Sequence, residues 1–331
     1  SPNLQLKQAT SLQLVRPVEP RRCRGGRKRG GRKAEESFCL CWDWRWNRIL
    51  RIGEAQNPGP EELKRVARRR GSRPEWQEII LLNSSGQPQL LEAFEYFKAS
   101  GGGGKVAAII CQEHKAFGTV WSNLQLKAKA RHWNLQGAQA VMTDEGGLSG
   151  GVGIATRSSV HMGLPVGGGH DISPKESPGR LALAWIEGIV RGGLTVMSAY
   201  LWHTEGMTRR NRAILEEAGW QTRRQKGPWM IAGDMNMTPE QFEEEASDLL
   251  RKIGGVVVRP GGATCRSVSG GRTIDYVIID ARIAGALQSI DVEPSFPSSP
   301  HYPVRIRIRG AAVKEYINAV RRPACFEQDR P

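Results

Sequence analysis

From Trp76 onward, short apolar runs of strand length alternate with amphipathic stretches of helix length, and this alternation leaves few folds open to the chain. The runs predicted to be strands are 78–83, 106–112, 151–156, 181–190, 194–201, 229–233, 274–279 and 304–308. The stretches predicted to be helices are 90–99, 121–129, 209–224 and 239–252. Strands and helices that alternate along a chain pack in layers, so the sequence predicts an α/β domain.

The stretch 239–252 has the clearest helix start. Thr238 precedes it as a predicted N-cap, Pro239 takes the first helical position, and Glu240 places negative charge in the first turn. We therefore expect a helix to begin at Pro239.

Polar side chains stand where the apolar runs begin or end, which is where α/β proteins place their ligand sites. We therefore predict that these residues gather at one rim of the central sheet. They are Asn83, Glu113, Tyr200, Asp234, Asn236, Asp275 and His301.

Taken in order, the motifs around these residues resemble those of the endonuclease/exonuclease/phosphatase superfamily, over roughly residues 76–309. The superfamily includes abasic-site endonucleases, nucleases of non-LTR retroelements, sphingomyelinases and inositol-phosphate phosphatases, and the first two are the most similar. The resemblance implies a four-layer sandwich of two mixed β-sheets flanked by helices. The motifs that carry it are LLN ending at Asn83, CQEH around Glu113, SAY ending at Tyr200, GDMN around Asp234, IDY around Asp275 and SPH ending at His301.

The resemblance also assigns chemistry to these side chains. Mg²⁺, or Mn²⁺ in its place, prefers carboxylate oxygens and water, so Glu113 is the expected metal ligand. Asp234 would orient or deprotonate the attacking water. The remaining roles are hydrogen bonds to water or phosphate from Asn83 and Asn236, and donation to a phosphoryl oxygen by Tyr200.

His301, if protonated, would stabilise the negative charge that develops in the transition state. Asp275 lies in an apolar run, where an unpaired carboxylate is costly, and His301 is its expected partner. Judged one at a time, Glu113 is also consistent with a solvated strand end, and Tyr200 with a core aromatic.

The last motif departs from the family pattern. The superfamily normally has Ser-Asp-His, whereas this chain has Ser299-Pro300-His301. Proline can neither bind a metal nor take a proton, so the missing carboxylate predicts a rate lower by about 10²- to 10⁴-fold if it serves in metal binding or proton transfer.

The chain carries 48 Lys and Arg against 33 Asp and Glu, a formal charge of +15, which favours a polyanionic partner, DNA in the first place. Residues 1–36 are predicted to be a disordered basic arm, because glycine and like charges prevent a core. The arm is equally consistent with a DNA-binding segment or nuclear-import signal and with a solvated tail. Its predicted DNA-binding cations are Arg21, Arg22, Arg24, Arg27, Lys28, Arg29, Arg32 and Lys33.

Residues 37–75 are predicted to form a tryptophan-rich segment and a linker, 76–310 the enzyme-like domain, and 311–331 a helix or tail. Trp42, Trp44 and Trp46 alternate with Asp43 and Arg45, which favours a short strand that docks at an edge of the domain over a base-stacking platform. Residues 53–60, GEAQNPGP, look like the front of a retroelement polyprotein.

The cysteine pattern points to a reducing, intracellular compartment. The six cysteines form neither a disulfide framework nor the two close pairs of a zinc site. No apolar run approaches the length of about 20 residues that a spanning helix needs, and no signal peptide is visible. The remaining histidines, at positions 114, 132, 161, 170 and 203, lack ligand spacing and are predicted to lie at the surface.

The sequence therefore predicts a Mg²⁺-dependent phosphodiester hydrolase, with a DNA endonuclease of retroelement type as the first choice. A phosphatase or lipid phosphodiesterase on the same fold is the second. A catalytically inactive descendant that binds nucleic acid through its arm is the third. Arginines 272, 305, 307 and 309 are consistent either with an extended DNA surface or with a solvated strand face.

Overall fold

The computed structural model describes residues 39–43, 48–52, 76–99, 106–164, 168–225, 227–267 and 270–310. The chain divides into two units, Ser1–Gly59 with Asn318–Pro331 and Pro60–Ile317. In the first unit, β1 (Cys39–Asp43) and β2 (Arg48–Ile52) form an antiparallel hairpin. Strand β1 thus covers the start of the tryptophan-rich run. The predicted basic arm, the linker up to residue 75 and the predicted tail from residue 311 lie outside the described residues.

The first large sheet has six strands in the order β15-β16-β3-β4-β6-β5. Strands β3 and β4 are parallel, and the other pairs are antiparallel. The strands are β3 (Trp76–Asn83), β4 (Val106–Gln112), β5 (Trp133–Met142), β6 (Leu148–Arg157), β15 (Leu287–Val292) and β16 (Val304–Arg309).

The second large sheet has six strands in the order β11-β14-β10-β9-β8-β7. Here β9 and β10 are the parallel pair. The strands are β7 (Met162–Gly163), β8 (Leu181–Ile186), β9 (Leu194–Tyr200), β10 (Trp229–Asp234), β11 (Gly255–Val258) and β14 (Asp275–Asp280). A separate hairpin joins β12 (Cys265–Ser267) and β13 (Gly270–Arg272).

Helices cover the outer face of each sheet. Helices α1 (Gln87–Ala99) and α2 (Thr119–Ala130) pack on the first sheet. Helices α3 (Arg209–Arg224), α4 (Pro239–Glu245) and α5 (Ser247–Ile253) pack on the second, and a 3-10 helix spans Ala281–Ala286. None of the helices in the described part of the chain is long and apolar enough to cross a membrane.

Strand β3 shows how side-chain alternation builds the layers. Ile79 and Leu81 belong to the core between the two sheets, whereas Ile80 and Leu82 pack with the residues of α1 and α2. Successive side chains of a strand point to opposite faces, so a strand buried on both faces is apolar throughout. The result is the predicted four-layer α/β sandwich of two mixed sheets flanked by helices.

Several element predictions needed correction. The stretch 239–252 is not one helix but two, because Ala246 has φ −111° and ψ 14°, which interrupts the helical backbone. Its predicted start is confirmed, since Thr238 accepts from the N–H of Gln241 in a capping box. Strand β8 ends at Ile186, four residues early. The strands that the sequence prediction missed are β2, β5, β7, β11, β12, β13 and β15.

The two sheets approach each other closely near the site. Gln112 at the end of β4 donates from Nε2 to Ser198 Oγ on β9 at 2.9 Å, and Ser198 Oγ donates to Cys111 O at 2.9 Å. On β10, a Cβ added at Gly233 would lie 1.8 Å from Ala199 O. Only glycine permits this approach of β10 to β9, so Gly233 sets the position of Asp234 beside it.

Candidate active site

Asn83 connects the two sheets at the centre of the candidate site. It ends β3, is buried, and donates from Nδ2 to Asp234 Oδ2 at 2.9 Å and to Glu113 Oε1 at 3.2 Å. Its own Oδ1 accepts from the N–H of Ser85 at 3.1 Å. A single amide thus holds a carboxylate from each half of the sandwich.

Glu113 follows β4 in a left-handed backbone conformation, with φ 53°, that turns its side chain into the site. Its Oε1 also accepts a hydrogen bond from the Tyr200 hydroxyl, and Lys115 Nζ lies 3.4 Å from Oε2. Burial alone would raise the pKa of Glu113, but the hydrogen bonds from Tyr200 and Asn83 and the charge of Lys115 bring it below its ordinary value. The carboxylate is therefore ionised at neutral pH.

Asp234 ends β10 and is directly paired with Asp275 on the antiparallel strand β14. Its Oδ1 accepts from the N–H of Asn236 at 3.0 Å, and Asn236 Nδ2 donates to Leu201 O at 2.7 Å. Burial first, and then the charge of Asp275, raise the pKa of Asp234 above its ordinary value. Two buried carboxylates in register repel each other, so one of them retains a proton more readily.

His301 lies beside both carboxylates. Its Nδ1 is 3.1 Å from Oδ1 and 2.9 Å from Oδ2 of Asp275, and its Nε2 is 3.9 Å from Oδ2 of Asp234. Burial opposes protonation of the imidazole, but the carboxylates of Asp275, Asp234 and Glu113 outweigh it and raise the pKa to about 9. The imidazole is therefore protonated at neutral pH, and Asp275 has the partner that the sequence predicted.

The donor set is suited to a hard divalent cation. One ligand atom each from Asp234, Asp275 and His301 lies within 4.8 Å of the other two. Glu113 adds a further carboxylate through the shared Asn83 contact. A cation here would relieve the repulsion between the two buried aspartates, and carboxylate oxygens are the ligands that Mg²⁺ prefers. Sequence reasoning had assigned only Glu113 to the metal.

The prediction that His114 lies at the surface is wrong, because the imidazole is completely buried. It stacks on Trp121 with ring centroids 4.6 Å apart, and its Nδ1 accepts from the N–H of Ala116 at 3.1 Å. Its Nε2 lies 3.1 Å from Ala138 O and donates to it. The ring therefore holds the turn that carries Glu113. Of the other four histidines, His132, His161 and His203 are exposed and His170 is half-buried.

Two of the late arginines are engaged in ion pairs. Arg305 is only 9% exposed and lies 2.5 Å from Glu78 and 2.7 Å from Glu293. Arg307 pairs with Glu78 at 3.0 Å and with Asp291 at 3.3 Å. Arg305 is therefore neither part of a free DNA-binding surface nor part of a solvated strand face, so both predictions for it are wrong. Arginines 272 and 309 are exposed.

Sequence reasoning also missed Lys115 and Arg180. Lys115 is two residues beyond Glu113 in the same motif, so its position was the only available signal. Arg180 precedes β8 after a glycine and is 3% exposed, beneath the ring of Tyr200. The predicted arm cations, 21–33, lie outside the described residues.

Known proteins are similar to this chain in structure but not detectably in sequence. No protein-family model matches the sequence, and no curated protein matches it. Among solved structures, the AP endonuclease of Leishmania major is 13% identical, with a TM-score of 0.55 over 71% of this chain and 88% of that one. The 3'-5' exonuclease NExo of Neisseria meningitidis is 19% identical, with a TM-score of 0.52 over 70% of this chain and 99% of that one.

The endonuclease domain of TRAS1, a telomere-specific non-LTR retrotransposon, is 15% identical and has a TM-score of 0.50 over 71% of this chain and 98% of that domain. These identities are low, so the similarity concerns the fold. The chain has the fold of the endonuclease/exonuclease/phosphatase superfamily.

Proposed function

We propose that this chain is a metal-dependent phosphodiester hydrolase, using Mg²⁺ or Mn²⁺, and that it acts as a DNA endonuclease of retroelement type. The observation that carries the proposal is the Asn83 amide, which joins Glu113 to Asp234 across the two sheets. Buried carboxylate, amide and imidazole groups from distant parts of the sequence meet at this point. The endonuclease and exonuclease activities named for the similar structures support the same chemistry.

In this proposal Asp234 acts on the attacking water. Asn83 keeps Oδ2 in a fixed direction, and Asp234 can take a proton from the water when a bound cation offsets the charge of Asp275 and leaves the Asp234 carboxyl ionised. Asn236 is fixed in turn by Leu201 O and donates its N–H to Oδ1. The base is therefore oriented before substrate arrives, as preorganised sites require.

His301 and Tyr200 supply positive charge and a proton donor for the phosphoryl group. With a pKa of about 9, His301 is cationic at neutral pH, and Asp275 fixes Nδ1 so that Nε2 is the free donor. Burial and the Glu113 charge raise the pKa of Tyr200, so its hydroxyl stays protonated. His301 can donate to oxygens that gain charge in the transition state, and Tyr200 can do so when its one hydroxyl proton leaves Glu113 Oε1.

Glu113 would hold the metal ion, and the carboxylates of Asp234 and Asp275 would supply further ligand atoms. When bound, a divalent cation would neutralise charge on the phosphoryl oxygens. The hydrogen bonds from Tyr200 and Asn83, together with the charge of Lys115 at 3.4 Å, lower the pKa of Glu113 and keep this carboxylate ionised.

DNA is the proposed substrate, and the basic arm is its proposed electrostatic anchor. Residues 1–75 contain 19 Lys and Arg against 8 Asp and Glu, whereas residues 76–310 contain 25 against 22. The excess charge of the chain thus lies mainly outside the domain that bears the site. Since cations that contact phosphates release counterions, the arm would raise affinity without requiring a sequence-specific contact.

A plasmid-nicking assay tests the proposal. Supercoiled plasmid is incubated with the full chain in Mg²⁺, in Mn²⁺ and in EDTA, beside Asp234→Ala and Asp248→Ala. Asp248 is an exposed carboxylate on α5 and serves as the matched control. We expect nicking that needs metal, disappears in Asp234→Ala and persists in Asp248→Ala.

Absence of any metal-dependent nicking that Asp234→Ala removes would reject the endonuclease. If the chain instead releases phosphate from monoesters or cleaves a phospholipid headgroup under the same conditions, the second predicted function is correct. If it only binds DNA, it is the inactive descendant.

A further inference from the structure

Two aromatic rings and two guanidinium groups alternate in a stack that ends at the candidate site. The Arg180 Cζ lies 4.2 Å from the centroid of the Tyr200 ring and 3.7 Å from that of Trp202. Arg210 Cζ lies 3.6 Å from the same Trp202 centroid. Two guanidinium groups cannot share one face of an indole at these distances, so they lie on opposite faces. Tyr200, Arg180, Trp202 and Arg210 therefore form successive layers.

The two ends of the stack differ in their surroundings. At the inner end, the Tyr200 hydroxyl donates to Glu113 Oε1. At the outer end, Arg210 is exposed and pairs with Glu205 at 3.1 Å. Trp202 is further tied down, since its Nε1 donates to Ser177 Oγ at 3.0 Å and its backbone N–H donates to Asn211 Oδ1 at 2.6 Å. Trp202 and Arg210 are thus held in place by hydrogen bonds and an ion pair, and Tyr200 is the member of the stack that contacts the candidate site.

Arg180 is an unusual residue to bury. It is 3% exposed, its Nη2 donates to Ser149 Oγ at 2.7 Å, and its Nε has no hydrogen-bond partner. Among the residues that the structure describes, no carboxylate forms an ion pair with it. Burial lowers the pKa of this guanidinium, and the Tyr200 side chain and the charge of Glu113 oppose that shift, in addition to the faces of Tyr200 and Trp202.

We propose that Arg180 is a positioning residue for the reaction, because it is clamped by Trp202 and fixes the ring plane of Tyr200 so that the phenol hydroxyl stays on Glu113. The inference rests on the proposed function, since it concerns how that site is held in shape. Arg180 acts through Tyr200, because it is 3% exposed and packs against that ring. The stack keeps a proton donor and a metal ligand in register before substrate arrives.

Substitution of Arg180 by Met and by Lys, with steady-state kinetics on a DNA substrate, tests this role. We expect Arg180→Met to lower kcat by about 10- to 100-fold, the scale of a small displacement of a reacting group, with KM within twofold of the wild type. Lys keeps the charge but not the planar stack, so Arg180→Lys should recover only part of kcat. Trp202→Leu should lower kcat in the same way, and Trp202→Phe should lower it less.

Arg157 provides a matched control. Its Cζ lies 4.7 Å from the Trp133 ring centroid in the same kind of stack, and its guanidinium donates to the backbone carbonyls of Val106 and Phe97. Arg157→Met should lower the melting temperature but leave kcat unchanged. If Arg180→Met does the same, Arg180 is merely structural and the proposal fails. If it raises KM and reduces the salt dependence of DNA binding, Arg180 contacts a phosphate and the proposal also fails.

A spectroscopic readout keeps this test separate from that of the proposed function. The chain has five tyrosines, so 3-fluorotyrosine gives five ¹⁹F resonances, and Tyr200→Phe identifies the one of interest. Arg180→Met should shift or broaden the Tyr200 resonance, whereas Arg157→Met should leave it in place. An unmoved Tyr200 resonance in Arg180→Met would overturn the proposal even if the protein proves inactive.

Discussion

His301 Nδ1 lies within 3.1 Å of both carboxylate oxygens of Asp275, and both side chains are more than nine-tenths buried. This contact leaves Nε2 as the only imidazole nitrogen that can face a reacting group. It also offsets the burial of the charged ring, which explains a pKa of about 9. The orientation of His301 therefore depends on Asp275, which is also the largest of the three carboxylate contributions to its charge.

Replacement of that neighbour should disable the imidazole. Asp275→Asn keeps the shape but removes the charge, so His301 should lose both its proton at neutral pH and its fixed orientation. We expect kcat to fall by about 10²- to 10⁴-fold, as when an orienting carboxylate is lost elsewhere. Rates of plasmid nicking at pH 7.5 measure this, with Asp248→Asn as the exposed control. A decrease below threefold would show that the pair is only structural.

Pro300 precedes His301 and is exposed, where the superfamily motif has aspartate. Pro300→Asp should add a carboxylate beside the donor set and strengthen Mn²⁺ binding, measured by titration of the free-ion EPR signal. The nicking rate should rise by about 10²- to 10⁴-fold, the range ascribed to a proton-transfer group. Pro297→Asp adds the same charge to the same exposed loop and should do neither. Equal effects from both variants would point to general electrostatics instead.

The basic arm should govern the salt dependence of DNA binding. Each phosphate contact makes the slope of log K against log salt steeper by about 0.9 for duplex DNA. Removal of residues 1–36 should therefore reduce the magnitude of that slope by about 0.9 for each of several lost contacts. Fluorescence anisotropy with a labelled duplex at several salt concentrations measures the slopes. The Asp234→Ala variant controls for cleavage. Unchanged slopes would mean that the arm is a solvated tail.

Much of the fold was predictable because its central strands are buried on both faces. β3 and β4 contain unbroken apolar runs, at 79–82 and 106–111, and the polar residues that follow, Asn83 and Glu113, marked the rim. The same logic found Asp234 after β10. Burial on both sides leaves little freedom in composition, so the sequence alone identifies such strands.

The features that the sequence did not predict depend on contacts between residues that are distant in the chain. β5 is an edge strand with alternating burial and includes Gln136 and Gln139, so no apolar run marks it. Arg305 pairs with Glu78, 227 positions away, which no local pattern indicates. His114 is buried because its Nε2 donates to Ala138 O on β5 and its ring stacks on Trp121 of α2. Tertiary context decided these cases, not local propensity.

His114 predicts a specific pH dependence of stability. Burial lowers its pKa to about 4, whereas the unfolded chain titrates this residue near about 6.5. Between these values the unfolded chain binds more protons, so the contribution of His114 is complete above about pH 6.5 and is lost as the pH falls towards 4. His114→Gln cannot titrate. The difference in unfolding free energy between wild type and variant should therefore shrink by about 3 kcal/mol from pH 7 to pH 4.

Urea unfolding at several pH values measures this difference. Asp234 and the other carboxylates titrate in both proteins, so they cancel in the comparison. A difference that stays constant with pH would mean that the imidazole is charged in the folded state, which would contradict its donor and acceptor contacts with Ala138 and Ala116.

The fit of His114 against Gly151 gives the final prediction. A Cβ at Gly151 would lie 2.6 Å from His114 Cε1, whereas a Cβ at Gly146 would meet nothing within 4 Å. Both glycines have positive φ, 87° and 79°, so alanine at either position carries a similar backbone cost. Gly151→Ala should therefore be less stable than Gly146→Ala by about 1–3 kcal/mol, the cost of overpacking.

Because His114 adjoins Glu113, Gly151→Ala should also displace that carboxylate and lower kcat, whereas Gly146→Ala should not. Adding His114→Ala to each glycine variant separates the causes, since removal of the imidazole relieves only the Gly151 clash. The stability effects of His114→Ala and Gly151→Ala should therefore be non-additive in the double variant, whereas those of His114→Ala and Gly146→Ala should be additive. If instead the two pairs behave alike in thermal melts, the turn that carries Glu113 is not held by the imidazole.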